Sequence, residues 1–139
     1  MKFLIIHLDT ARAGLSMAIK IGSDIIEISR FSKLQDQKII YRCFTEGERN
    51  YCFSKPNPPQ HLAARFAAKE AVIKALSGFE LSLDFNKIEI CNEENGRPYV
   101  QYLTDDPCYQ SLYTDISISH SGVSAVAFVL ISDQNMANK

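Results

Sequence analysis

Hydrophobic positions along the chain recur at two periods, and each change of period marks a new element. Residues 18–31 (AIKIGSDIIEISRF) are dense in isoleucine with period-two character, which predicts a buried strand. Residues 32–44 (SKLQDQKIIYRCF) read as helical, with untidy apolar spacing. The stretch TEGE, Thr45 to Glu48, matches a capping box: threonine as N-cap, glutamate three residues on. The short helix it opens is expected to stop before SKPNPPQ (54–60), whose three prolines end regular structure. The run HLAARFAAKEAVIKAL (61–76) predicts the longest helix, with Gly78 supplying its C-cap. Beyond it the period returns to two. NKIEICNEENGRPYVQYL (86–103) alternates on both sides of ENG, a β-hairpin turning at Asn95–Gly96. DDPCYQSLY (105–113) is a short helix or turn, and DISISHSGVSAVAFVLIS (115–132) gives two strands with a break at Ser121–Gly122. Strand, helices, hairpin and strands in that order predict a single α+β domain, an antiparallel sheet packed with a long helix. That domain spans residues 17–133, since Met17 opens a natural first strand; residues 1–16 read as an N-terminal extension or an upstream start, and residues 134–139 as a polar tail.

Composition narrows the class. With 139 residues, 46% hydrophobic and 22% charged, the chain fits one globular domain with a real core. A net charge of -1 excludes a global basic field of the kind that binds nucleic acid, so any electrostatic partner is recognised locally. The four cysteines, Cys43, Cys52, Cys91 and Cys108, form no C-x-x-C pair and have no histidine at zinc-finger spacing, which speaks for reduced thiols rather than a zinc site or disulfide framework. No apolar run approaches the roughly 18 residues of a membrane span. The N-terminal KFLII is too short for a signal-peptide core. A cytoplasmic location is expected.

The candidate chemistry begins on the long helix. At about 100° per residue, Leu62, Phe66, Ile73 and Leu76 fall within an arc of roughly 80°, with Lys69 inside that arc and Glu70 just beyond its edge. A helix that only packs places its charges on the far side. A second acid, Asp24, interrupts IGSDIIEI on the first strand. An ionised carboxylate among isoleucines is costly unless a cation neutralises it. If helix and strand pack together, Asp24 and Glu70 form a small oxygen-rich site suited to Mg²⁺, which keeps several waters and takes one or two carboxylates plus substrate phosphates. The plainer alternative is that Asp24 ends the strand and Glu70 pairs with Lys74, an i,i+4 contact worth only about 0.2–0.5 kcal/mol. Arg65, Lys69 and Lys74 surround Glu70, a cation set matched to a diphosphate. No glycine-rich phosphate loop is present, so phosphates would be held by side chains and metal. His120, between Ser119 and Ser121 at a strand end, is a structural residue or a phosphate contact. His7 and His61 offer nothing specific. Arg30, Lys33, Lys38 and Arg42 carry four cations against the single acid Asp36; on a helix they spread over about 180°, a solvated surface or a dock for an acidic protein.

Together these residues resemble the holo-acyl-carrier-protein synthase family of 4′-phosphopantetheinyl transferases. Its Gly-x-Asp signature followed by a short run to Arg stands here as GSDIIEISR (22–30), and its RFAAKEAxxKAL signature as RFAAKEAVIKAL (65–76). FTEGERNYC, NGRPY and SISHS follow the family's order and spacing, so that the resemblance runs from about Met17 to Ile131. It implies that Asp24 and Glu70 ligate Mg²⁺ and that coenzyme A binds with its diphosphate on that ion. The serine of an apo acyl carrier protein would attack the phosphate nearest the pantetheine, and 3′,5′-ADP would leave. Lys74 would assist the leaving phosphate; Arg65, Lys69 and His120 would contact the coenzyme's phosphates. Arg30, Lys33, Lys38 and Arg42 would dock the carrier. The base that takes the serine proton stays open among a metal-bound water, Glu70 and Lys74. Ile26 stands where larger relatives carry a third acid, which fits the short branch of the superfamily. The resemblance also implies a homotrimer and a role in fatty acid biosynthesis. Two other readings use the same carboxylates: a Mg²⁺-dependent nucleotide-diphosphate hydrolase, and a non-catalytic coenzyme-binding or carrier-docking module.

Overall fold

Strand β1, Ile19–Glu27, lies along the edge of a three-stranded antiparallel sheet. The computed structural model describes residues 17–33 and 37–133, so the expected N-terminal extension and polar tail lie outside the described residues. After β1 the chain turns through a short 3₁₀ segment, Ile28–Phe31, and runs through α1 (Gln37–Cys43), α2 (Glu46–Phe53) and α3 (Pro58–Ser77). A hairpin of β2 (Ile88–Asn92) and β3 (Pro98–Tyr102), the one-turn α4 (Pro107–Gln110), β4 (Tyr113–His120) and β5 (Ser124–Ser132) complete it. The sheet order is β1–β5–β4, all antiparallel, and β2–β3 pair separately. The α+β expectation holds.

Alternation along β1 divides its side chains. Gly22, Asp24 and Ile26 face α3, whereas Ile19, Ile21 and Ile25 face away and are exposed. The contact with α3 is backbone-close. A Cβ added to Gly22 would lie 1.9 Å from the Ala71 carbonyl oxygen, so no side chain fits there. Ala67, Ala68, Ala71 and Ala75 are all fully buried and keep this surface of the helix low enough for strands to cross it. The helix is buried around most of its girth, more than the Leu–Phe–Ile arc implies.

Two boundaries differ from the sequence reading. The first strand stops at Glu27, because Ile28 and Phe31 both turn into the core and the Ile28 amide donates to the Val123 carbonyl at 2.9 Å. The long helix starts at Pro58, since prolines in the first turn lose no intrahelical hydrogen bond. Gly78 is the C-cap, yet its φ of -67° is right-handed and the left-handed residue is Glu80, at φ 60°. The capping box at Thr45 and Glu48 forms as read. So does the hairpin, closed by Glu93 N–H to the Arg97 carbonyl (2.9 Å), with Gly96 at φ 89°. All four cysteines are free, and burial pushes the Cys52 thiol up to about 11. No described helix is long and apolar enough to cross a membrane.

Candidate active site

The crossing of β1 over α3 brings Asp24 to the outer edge of the helix. Lys74 Nζ donates to Asp24 Oδ1 at 3.0 Å and to the Ser23 carbonyl at 2.9 Å. Asp24 is half-buried and Lys74 about half-exposed, so the contact sits at the rim of the fold. Glu70 lies one turn before Lys74 on the same helix and is half-buried. Among the described residues its carboxylate makes no ion pair. The i,i+4 pair with Lys74 is therefore not what this helix forms: Lys74 reaches across to the strand and leaves Glu70 open. No group of three or more His, Cys, Asp or Glu side chains is placed to hold a metal among the described residues. The donor set fits a Mg²⁺ ion with two protein oxygens, the rest of its shell coming from water and substrate. The Lys74 ammonium on Asp24 marks that carboxylate as an oxygen that a cation satisfies.

Lys69 behaves differently from its neighbour. Its side chain is wholly buried, paired with Glu48, and it donates to the Cys43 carbonyl at 2.6 Å. Glu48 in turn accepts from the Thr45 and Ile90 amides, at 3.0 and 2.9 Å. Burial pushes the Glu48 carboxyl up and the Lys69 ammonium down, while each group's charge opposes the shift in the other. This junction ties the end of α1, the cap of α2, the middle of α3 and β2 together. The expectation that Lys69 contacts phosphate is corrected: its charge is answered inside the protein and its Nζ has no open side.

Arg65 sits one turn earlier and is 4% exposed. Its guanidinium lies 3.8 Å from the Tyr51 ring centroid and donates from Nη2 to Asn92 Oδ1 at 2.6 Å. Its Nε is buried and has no hydrogen-bond partner among the described residues. His120 is exposed at the end of β4, with Nε2 3.0 Å from Gln60 Nε2 in the first turn of α3. Arg65 and His120 thus belong to the same end of α3, with Asp24, Glu70 and Lys74 farther along it.

The chain matches the family model of the 4′-phosphopantetheinyl transferase superfamily over residues 20–129. It belongs to that superfamily. It is 43% identical over 124 residues to the holo-[acyl-carrier-protein] synthase of Protochlamydia amoebophila, covering 84% of this chain and 99% of that protein. Among solved structures, a holo-(acyl-carrier-protein) synthase from Bacillus anthracis in complex with CoA (3′,5′-ADP) has 35% identity and a TM-score of 0.70, covering 86% of this chain and all of that one. The Helicobacter pylori synthase in complex with coenzyme A has 30% identity and a TM-score of 0.67 over 80% of this chain and 98% of that one.

In this transferase fold the four cations expected to dock a carrier do not share one helix, as the sequence reading had them. Arg30 belongs to the 3₁₀ segment, where its guanidinium lies 5.6 Å from the Phe66 ring, and Lys33 follows it; Lys38 and Arg42 are on α1. All four are exposed. Sequence reasoning missed Glu48, Tyr51 and Asn92. Glu48 carried a signal, because a lysine inside an apolar arc needs a buried acid, but the capping box already explained that glutamate.

Proposed function

We propose that the chain is a holo-[acyl-carrier-protein] synthase, transferring 4′-phosphopantetheine from coenzyme A to a serine of apo acyl carrier protein and releasing 3′,5′-ADP. The observation that carries the reading is the Asp24–Lys74 contact with Glu70 left unpaired one turn away, in a chain so similar to named synthases over nearly their whole length. The serine oxygen forms a bond to the phosphorus bearing the pantetheine. The bond from that phosphorus to the bridging oxygen breaks, and the bridging oxygen leaves on 3′,5′-ADP. Asp24 and Glu70 would hold Mg²⁺, which when bound would offset charge on the diphosphate. Lys74, half-exposed beside them, places its ammonium against the leaving phosphate. Arg65 and His120 face the phosphates of the coenzyme. The base that takes the serine proton stays open among a metal-bound water, Glu70 and Lys74, the last only once its ammonium has lost a proton.

Arg30, Lys33, Lys38 and Arg42, all exposed, receive the acidic carrier. A homotrimer is supported by the bare outer face of the sheet: Ile21 is 78%, Ile25 69% and Phe128 60% exposed, an apolar surface that a lone chain leaves in water. The setting is cytoplasmic fatty acid biosynthesis. Intact-mass spectrometry of apo acyl carrier protein, incubated with the protein, coenzyme A and Mg²⁺, tests the reading. One added phosphopantetheine, lost with a chelator, is the expected result. Coenzyme consumed without any mass gain would instead indicate a hydrolase.

A further inference from the structure

Lys74 reaches off α3 to two acceptors on β1, Asp24 Oδ1 at 3.0 Å and the Ser23 carbonyl at 2.9 Å. Glu70, one turn earlier on the helix, has no ion pair among the described residues. The two partners of the Asp24–Lys74 pair differ in their freedom to move. Asp24 is held by the crossing itself, because Gly22, two residues before it, packs too closely on the Ala71 carbonyl to admit a Cβ. Lys74 stands on a flexible four-carbon stem, and its side chain is 53% exposed against 20% for Asp24. The ammonium is the partner able to leave. Charge gives it a reason to. Two carboxylates and one ammonium sum to one negative charge at this rim, which Mg²⁺ converts to one positive charge for as long as Lys74 stays. A Mg²⁺ ion about 2.1 Å from either Asp24 oxygen would face the ammonium across a single carboxylate. A diphosphate relieves that repulsion by giving the ammonium another anion.

We propose that Lys74 competes with Mg²⁺ for Asp24 and yields when a diphosphate arrives, so that metal and coenzyme each strengthen the binding of the other. The inference rests on the transferase reading above, and gives Lys74 a part in binding as well as in facing the leaving phosphate. Lys74 is a tethered cation. Without coenzyme it satisfies the Asp24 carboxylate and weakens metal binding there. With coenzyme it moves to phosphate oxygens and frees the carboxylate for the ion. The coupling is reciprocal: whatever factor coenzyme A adds to metal affinity, the metal adds to coenzyme affinity.

Titration of the full chain with Mn²⁺, a paramagnetic stand-in for Mg²⁺ whose free ion is counted by electron paramagnetic resonance, measures the competition directly. Without coenzyme, Lys74→Met is expected to bind Mn²⁺ roughly threefold to tenfold more tightly than the native chain. Lys74→Arg keeps the charge and is expected to stay within about twofold of native. Addition of coenzyme A should raise Mn²⁺ affinity more in the native chain than in Lys74→Met, because only the native chain has a lysine to release. Asp24→Asn added to Lys74→Met should abolish the gain; a gain that survives puts the ion elsewhere and overturns the proposal. Mn²⁺ bound by Lys74→Met no more tightly than by the native chain overturns it too, since the lysine would then share the carboxylate rather than contest it. Equal tightening in Lys74→Arg would do the same, by tracing the effect to shape. Lys74→Gln replaces Lys74→Met should the latter fail to fold. The coenzyme-free titration needs no turnover, so the two readings fail separately. Tighter Mn²⁺ in Lys74→Met, with no transfer by the native chain, would sink the transferase reading and leave the competition standing. Transfer by the native chain with unchanged Mn²⁺ affinity in the variant would do the reverse.

Discussion

Lys69 and Glu70 are adjacent on one helix, and the fold treats their charges in opposite ways. Lys69 is sealed in the core against Glu48, with the Cys43 carbonyl as a second acceptor. Glu70 stands at the helix rim with no ion pair among the described residues, beside a lysine that has gone to Asp24. A charge the chain neutralises itself serves the fold, since leaving it unpaired in the interior would cost several kcal/mol. A charge left open at a half-buried rim is available to a ligand. The 100° step between the two residues turns one inward and the other to the rim.

Breaking the inner pair should give the largest effect on stability. Lys69→Ala leaves Glu48 buried without its cation and is expected to cost about 3–5 kcal/mol, read from chemical denaturation. A cost under about 1 kcal/mol would mean that the buried pair contributes little. At the rim the effect moves to chemistry. Glu70→Gln and Asp24→Asn are expected to lower transfer roughly 10²- to 10³-fold, with stability within about 0.5 kcal/mol of native. Between the two faces of the sheet, Ile21→Lys is expected to dissociate the proposed trimer, as read by light scattering, because a charge would enter the apolar contact. Unaltered mass would move the interface elsewhere.

Smaller effects follow. The His61 imidazole is held below its ordinary range, so the folded chain binds fewer protons there than the unfolded one. Its contribution is present above about pH 6.5 and is lost as pH falls below it, so His61→Asn should flatten the acid side of the melting profile of the free protein. Arg97, whose pair with Asp115 lies in solvent at 3.0 Å, sets the lower end: Arg97→Ala is expected to leave the melting temperature unchanged.

Much of this contrast was legible in the chain. The apolar arc placed Lys69 against the core, though the residue was read as a phosphate contact, and the isoleucines around Asp24 announced a carboxylate needing a cation. The arc could not name what lay opposite. Glu48 is 21 residues before Lys69 and comes to it only through the packing of α2 on α3. Asn92, 27 residues beyond Arg65, is brought by the β2–β3 hairpin in the same way. Alanine hid a further part. Ala67, Ala68, Ala71 and Ala75 look neutral to a hydrophobic pattern, yet they and Gly22 set the close approach that delivers Asp24 to Lys74. The capping box and hairpin turn were legible because each depends on residues within a few positions.

The division between fold and chemistry is tested most directly by intact-mass spectrometry of apo acyl carrier protein after incubation with coenzyme A, Mg²⁺ and either the native chain or Glu70→Gln. The account predicts one added phosphopantetheine with the native chain and none over the same interval with Glu70→Gln, whose melting matches the native. Equal modification by the two proteins would contradict it, since Glu70 would then be as dispensable to the chemistry as it is to the fold.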